Sequence, residues 1–220
     1  MYGFRKKKNT KKDKGREDKN VGNSKFLEAQ VHALPGCIPI MTRTSIVNVV
    51  ATAALGQKLD LEKLGKRPQI LHDTHIYGGR VAYFRSRYFK GEVSIFSSGK
   101  MISVGANSEA EAFRALECAK DFLANEGFVE TVALKKEIQN IVLVADLGKD
   151  VNLENLAQNC KMIYEPEQFP GGILRMDEFG VAVLIYASGK AVIAGVRNSK
   201  DITQIVRKVE DVVEKHCQQL

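Results

Sequence analysis

The chain has 220 residues, 44% apolar and 27% charged, enough for one or two domains with a packed core and too apolar for wholesale disorder. No run approaches the roughly 18 apolar residues of a membrane helix, so no membrane partner is expected. The net charge of +7 comes from residues 1–25, which hold ten bases against three acids; the other 195 residues carry 23 of each.

In chain order, residues 1–43 read as a basic, disordered tail. Its Arg5-Lys6-Lys7-Lys8 run fits a nuclear import signal or a nucleic-acid arm, and equally a solubilising segment. MYGFRKKKNTKK lacks the apolar stretch of a secretory signal. Cys37, Cys118, Cys160 and Cys217 are far apart and match no metal or haem spacing, which suggests reduced thiols in an intracellular protein.

The next feature is internal repetition. Ile95-Phe96-Ser97-Ser98-Gly99-Lys100 returns as Ile185-Tyr186-Ala187-Ser188-Gly189-Lys190, 90 residues on. Ile46-Val47-Asn48 returns as Ile138-Gln139-Asn140, and Tyr77-Gly78-Gly79 as Phe169-Pro170-Gly171, both 92 on. This predicts two copies of one unit, residues 44–134 and 135–220. The change of offset suggests a longer first-copy hairpin around Arg85 to Gly91.

Each copy opens with a β-rich segment, Ile46 to Ala54 or Ile138 to Asp146. A short helix follows, Asp60 to Arg67 or Leu153 to Cys160. Short strands punctuated by Gly78-Gly79, Lys90-Gly91, Ser98-Gly99, Gly171-Gly172, Gly180 and Ser188-Gly189 come next. A long helix closes each copy. Ser108 and Glu111 form a capping box for the first, with Gly127 as its stop. Ile202, Ile205, Val206, Val209, Val212 and Val213 form the apolar stripe of the second. The opening strands are apolar on both sides: Ile46-Asn48-Val50-Thr52 on one and Val47-Val49-Ala51-Ala53 on the other. One set of helices covers one face. The other face is either a second core or an apolar surface awaiting a ligand.

The strand Asn residues, the Phe169-Pro170-Gly171 turn, the Ser-Gly-Lys hairpins and the closing helices together resemble the TATA-box-binding protein family. The likeness covers about residues 44–217; Tyr164 to Met176 is similar to the family's second-repeat signature and Ile95 to Met101 to its first-repeat signature. It implies an α+β saddle: two pseudo-twofold repeats, a ten-stranded curved antiparallel sheet, helices on the convex face. It also implies a general transcription initiation factor, not an enzyme, that docks on and bends the minor groove of double-stranded promoter DNA. On this resemblance Val50, Ile102, Val104, Val142, Val192 and Ala194 would face the groove floor. Asn48 and Asn140 would donate to base acceptors near the pseudo-dyad. Tyr77, Phe96, Phe169 and Tyr186 would be the wedges. Lys100, Arg175, Lys190 and Arg197 would hold phosphates, with Arg80, Arg85 and Arg87 as nearby candidates.

Glu165, Glu167 and Gln168 match the loop that resembles a transcription factor IIB contact, and a IIA-type partner is the further family expectation. Nuclear localisation and DNA-free self-association through the apolar face are also expected. No cofactor or metal is expected: no P-loop or dinucleotide fingerprint occurs, and His72 and His75 lack a third ligand nearby.

Three departures from the family pattern stand out. Val104 and Ala194 occupy positions where the family usually has Thr. The helix from Ser108 to Gly127 carries Glu109, Glu111, Glu117, Asp121 and Glu126 against Arg114 and Lys120. Gly78-Gly79 replaces the usual sequence after the first wedge. These departures support an alternative: a TATA-binding-related factor of reduced TATA specificity, acting mainly as a scaffold for transcription complexes.

Overall fold

The computed structural model describes residues 42–130 and 133–217. The expected tail falls almost wholly outside the described residues.

The first half runs β1 (Arg43–Ala54), α1 (Leu61–Leu64), β2 (Ile70–His72), β3 (Val81–Phe84), β4 (Glu92–Phe96), β5 (Lys100–Ala106) and α2 (Glu109–Asn125). The second repeats the order: β6 (Lys136–Asp146), α3 (Leu153–Asn159), β7 (Met162–Ile163), β8 (Gly171–Met176), β9 (Val181–Tyr186), β10 (Lys190–Val196) and α4 (Ile202–Cys217). All ten strands form one curved antiparallel sheet, in the order β2-β3-β4-β5-β1-β6-β10-β9-β8-β7. The two opening strands pair at its centre, where a row of ladder bonds fuses the halves. The architecture is the expected α+β saddle.

Alternation along the strands sorts the side chains. Val49, Ala51, Val93, Ile95, Met101, Ile141, Leu143, Val183, Ile185 and Ile193 are fully buried, and they join Leu116 and Leu123 of α2 and Ile205 and Val209 of α4 in one core. Burying each large side chain contributes about 2 kcal/mol. α2 begins at Ser108, whose Oγ accepts from the Glu111 N–H at 3.1 Å, while Glu111 Oε2 accepts from the Asn107 N–H at 3.0 Å. It ends in a Schellman turn. Gly127 takes φ +74°, its N–H donates to the Ala124 carbonyl, and the Phe128 N–H donates to that of Leu123.

Three sequence expectations are corrected. Asn48 and Ile46 do not share a face. The β1–β6 register shifts between Ile46 and Asn48, and again between Val50 and Ala51. Val47 and Gln139 are the extra residues, so each opening strand carries a bulge at the same place. Ile46 and Ile138 then pack against the core, while Asn48 and Asn140 turn to the opposite face. The two-residue difference between the copies also lies elsewhere. Phe84 pairs with Val93, and Leu174 with Val183, so these hairpins are equal in length. Ile70 pairs with Phe84, but Met162 pairs with Leu174. The extra residues are therefore in the β2–β3 loop that carries Tyr77. The first short helix is also shorter than expected, because Gly65 caps it after Leu64.

α2 is tied to the central sheet by charge. Glu117 binds Lys120 at 2.8 Å and also Lys136 of β6. Hydrogen bonds from Lys120, then Lys136, hold the Glu117 carboxyl below its ordinary value of 4.5. A lowered carboxyl stabilises the fold above its unfolded value, and this contribution is lost as pH falls through the folded one. Glu117→Gln is expected to cost about 0.5–1 kcal/mol at pH 7. In unfolding curves taken across pH, the gap from wild type should narrow as pH falls below the ordinary 4.5 and close once the folded carboxyl is protonated.

Candidate nucleic-acid interface

The described helices all lie on one side of the sheet. The other side is an open apolar surface, which decides between the two possibilities left by the sequence pattern. Across the first half it runs Leu71, Tyr83, Ser94, Ile102, Thr52, each pairing with the next in the ladder. Across the second half it runs Ile163, Ile173, Leu184, Val192, Val144. Leu71 and Ile163, at the two edges, are 58% and 57% exposed. Val50, Ile102, Val142, Val192 and Ala194 are half-buried, and Val104 is exposed. An uncovered surface of this kind marks a binding site.

Asn48 and Asn140 occupy its centre. Asn48 stands opposite Val142 and Val50 opposite Asn140, so the two amides lie near the axis relating the halves. Each is fixed from behind. The Gly105 N–H donates to Asn48 Oδ1, and the Gly195 N–H to Asn140 Oδ1, both at 2.8 Å. A backbone N–H can only donate, so the atom facing it must be the amide oxygen. This leaves both Nδ2 groups as donors on the open side.

The partner glycines sit at bulges, where β5 and β10 each carry one residue more than the strand beside them. Gly105 has φ +95° and Gly195 φ +105°. A Cβ on Gly105 would lie 2.8 Å from the Gly91 Cα. Both the backbone conformation and the close approach therefore require glycine. The sequence contained this signal, because Gly105 and Gly195 keep the same 90-residue offset as the repeated Ser-Gly-Lys hairpins, but their role depends on a contact 57 and 55 residues away in the chain.

The structure treats the four aromatic candidates unequally. Phe169 and Tyr186 form a tilted pair with ring centroids 6.0 Å apart. Gly171 makes room for it, since a Cβ there would fall 2.9 Å from Phe169 Cε1 and 3.2 Å from Tyr186 Cε1. The equivalent residue beside Phe96 is Val81. Tyr77 stands alone, 76% exposed, at φ +48° followed by Gly78 at +61° and Gly79 at +72°. It is the one described non-glycine residue with positive φ, a strained state that persists only where the surroundings impose it. His72 Nε2 meets the Gly79 carbonyl at 2.9 Å and anchors the end of that turn.

Lys100 and Lys190 occupy equivalent exposed positions at the starts of β5 and β10. Arg80, Arg175 and Arg197 are exposed as well. Arg87 stacks on Tyr88 at 5.1 Å, and its Nη2 donates to the Tyr88 hydroxyl. Glu165, Glu167 and Gln168 are exposed in the β7–β8 loop, where the Glu165 carbonyl accepts from the N–H groups of Gln168 and Phe169, both at 2.9 Å.

A family model described as transcription factor TFIID, or TATA-binding protein, matches residues 43–125 and 135–216, one stretch for each half. The chain belongs to the TATA-binding-protein family. Members of this family are DNA-binding transcription factors, not enzymes. The TATA-box-binding protein of Sulfolobus acidocaldarius is 39% identical over 187 residues, covering 84% of this chain and 94% of that relative. That of Cenarchaeum symbiosum is 36% identical over 163 residues, covering 73% and 88%. The solved structure of Methanococcus jannaschii TBP superposes with a TM-score of 0.71 at 33% identity, covering 78% of this chain and 98% of that one.

Proposed function

We propose that the chain is a TATA-box-binding initiation factor that lays its open face along the minor groove of promoter DNA and bends it. The observation that carries this is the pair of Asn amides, fixed with donors outward in the middle of an apolar surface. An A·T minor groove offers acceptors on its floor and little else, so a face of Val, Ile and two central donors is complementary to it. Val104 and Ala194 add no donor, which leaves Asn48 and Asn140 as the central polar readers. Phe169 with Tyr186, and Phe96 with Tyr77, would part base steps at the two ends. Lys100, Lys190, Arg175 and Arg197 would hold the flanking phosphates.

Family membership at 36–39% identity favours this reading over the scaffold alternative. A IIB-type factor is the expected partner of Glu165, Glu167 and Gln168. The carboxylates of Glu165 and Glu167 repel phosphate, and the turn that displays them also carries Phe169, so DNA and protein contacts adjoin. A IIA-type factor is a further proposed partner, and the uncovered apolar face supports self-association when no DNA is bound. The site of action is chromosomal. A nuclear role for Arg5-Lys6-Lys7-Lys8 requires a nucleated cell, and the relatives named above are archaeal.

The test is a salt-titrated binding assay of the full chain on a TATA-containing duplex and on a scrambled one. We expect at least about tenfold preference for TATA, ~1.4 kcal/mol, and collapse of that preference in Phe169→Ala. Equal, weak binding to both duplexes would falsify the groove-reading role.

A further inference from the structure

The two halves carry equivalent arginines at the ends of equivalent strands, and only one of them is neutralised. Arg175 lies opposite Ala182 in the β8–β9 ladder, on the open face. It is exposed and makes no ion pair with a described residue. Arg85 lies one step beyond the Phe84–Val93 pair, directly opposite Glu92. Its Nε and Nη2 both donate to Glu92 Oε2, at 3.0 and 2.8 Å. Glu92 in turn pairs with Val104, so its carboxylate lies on the open face beside a proposed floor residue. The Glu92 side chain is 30% exposed and that of Arg85 72%, so the guanidinium can still meet an incoming anion.

We propose that Glu92 is a specificity-determining residue that restrains Arg85, so that the two equivalent arginines grip DNA phosphates unequally and Arg175 is the stronger holder. The inference rests on the duplex-binding reading above. A phosphate reaching Arg85 must displace Glu92 or share the guanidinium with it, and the carboxylate repels the phosphate throughout. No such competitor faces Arg175, because its cross-strand neighbour is alanine. A minor groove of A·T pairs looks nearly alike in both directions. A nearly symmetric saddle therefore gains little orientation from base contacts, and an acid present in one half only supplies an electrostatic difference between its ends.

The experiment is a mutant cycle on the full chain, reading affinity for a TATA-containing duplex across a salt series. In the wild type, Arg175→Ala should flatten the slope of log K against log salt by about 0.9, one phosphate's worth of released counterions. Arg85→Ala should flatten it by less than half as much. Glu92→Ala should tighten binding about threefold, the scale of one exposed ion pair, and steepen the slope. Adding Arg85→Ala to that variant should remove both gains. Glu92→Gln, which preserves shape, should act in the same direction, and Ala182→Glu should weaken binding. Equal losses from Arg85→Ala and Arg175→Ala in the wild type, or a Glu92→Ala slope identical to wild type, would overturn the inference and leave duplex binding intact. Failure of the wild type to bind any duplex would instead remove the parent reading, and this one with it.

Discussion

Replacing Asn48 and Asn140 together by Asp is expected to abolish duplex binding while the saddle stays folded. Each carboxylate can still accept from the Gly105 or Gly195 N–H, so the bulges remain satisfied. What changes is the outward atom: two donors become two charged acceptors facing the acceptors of the groove floor. A base contact contributes about 1–3 kcal/mol. Loss of two, with added repulsion, should weaken binding at least about 100-fold, ~2.7 kcal/mol. The double Ala variant separates function from folding. It strips both glycine N–H groups of their partner and should lower stability by about 1–3 kcal/mol for each group left buried. Calorimetry and anisotropy on the two variants give the answer. An Asp pair that binds a TATA duplex within threefold of wild type would rule out these amides as readers.

Much of this arrangement was legible in the sequence, for a physical reason. A repeat that matches at three places in one order must fold the same way twice, and strands apolar on both sides must find two covers. The residues therefore called for a second cover before any strand was placed, and left open whether it was a second core or a ligand. The face of each individual residue was less legible. Period-2 reading puts Ile46 beside Asn48, and a single extra residue at Val47 reverses it. A bulge has no strong sequence mark when the inserted residue is Val or Gln. The offset between the copies was visible, but its place was not. Both the β3–β4 hairpin and the β2–β3 loop contain Gly, and pairing alone assigns the two extra residues to the latter.

The restraint of Arg85 by Glu92 was equally hidden, because six intervening residues fold into a hairpin that sets the two groups opposite each other. Departures between the copies thus carry more information than the matches. Matches specify the scaffold, whereas Gly171 against Val81 and Ala182 against Glu92 give its two ends different chemistry.

That contrast supplies the second large effect. Gly171→Val installs the residue that the first half carries at the same ladder position. Its Cβ would enter the space between Phe169 and Tyr186, 2.9 and 3.2 Å from their ring edges. Distances under 3.0 Å force a shift, and the rings can yield by swinging apart, so the sheet should survive and the pair should not. A wedge works by presenting a stiff apolar edge to a base step, and unstacking that step costs a few kcal/mol that only good contact repays. We expect Gly171→Val to bind a TATA duplex about tenfold more weakly, ~1.4 kcal/mol. Energy transfer between dyes at the duplex ends should report a smaller bend. Phe169→Ala, which leaves Tyr186 in place without its neighbour, should reduce the bend in the same sense. If Gly171→Val bends DNA as the wild type does, the ring pair is packing for the β7–β8 loop, and the wedge at this end must be sought elsewhere on the open face.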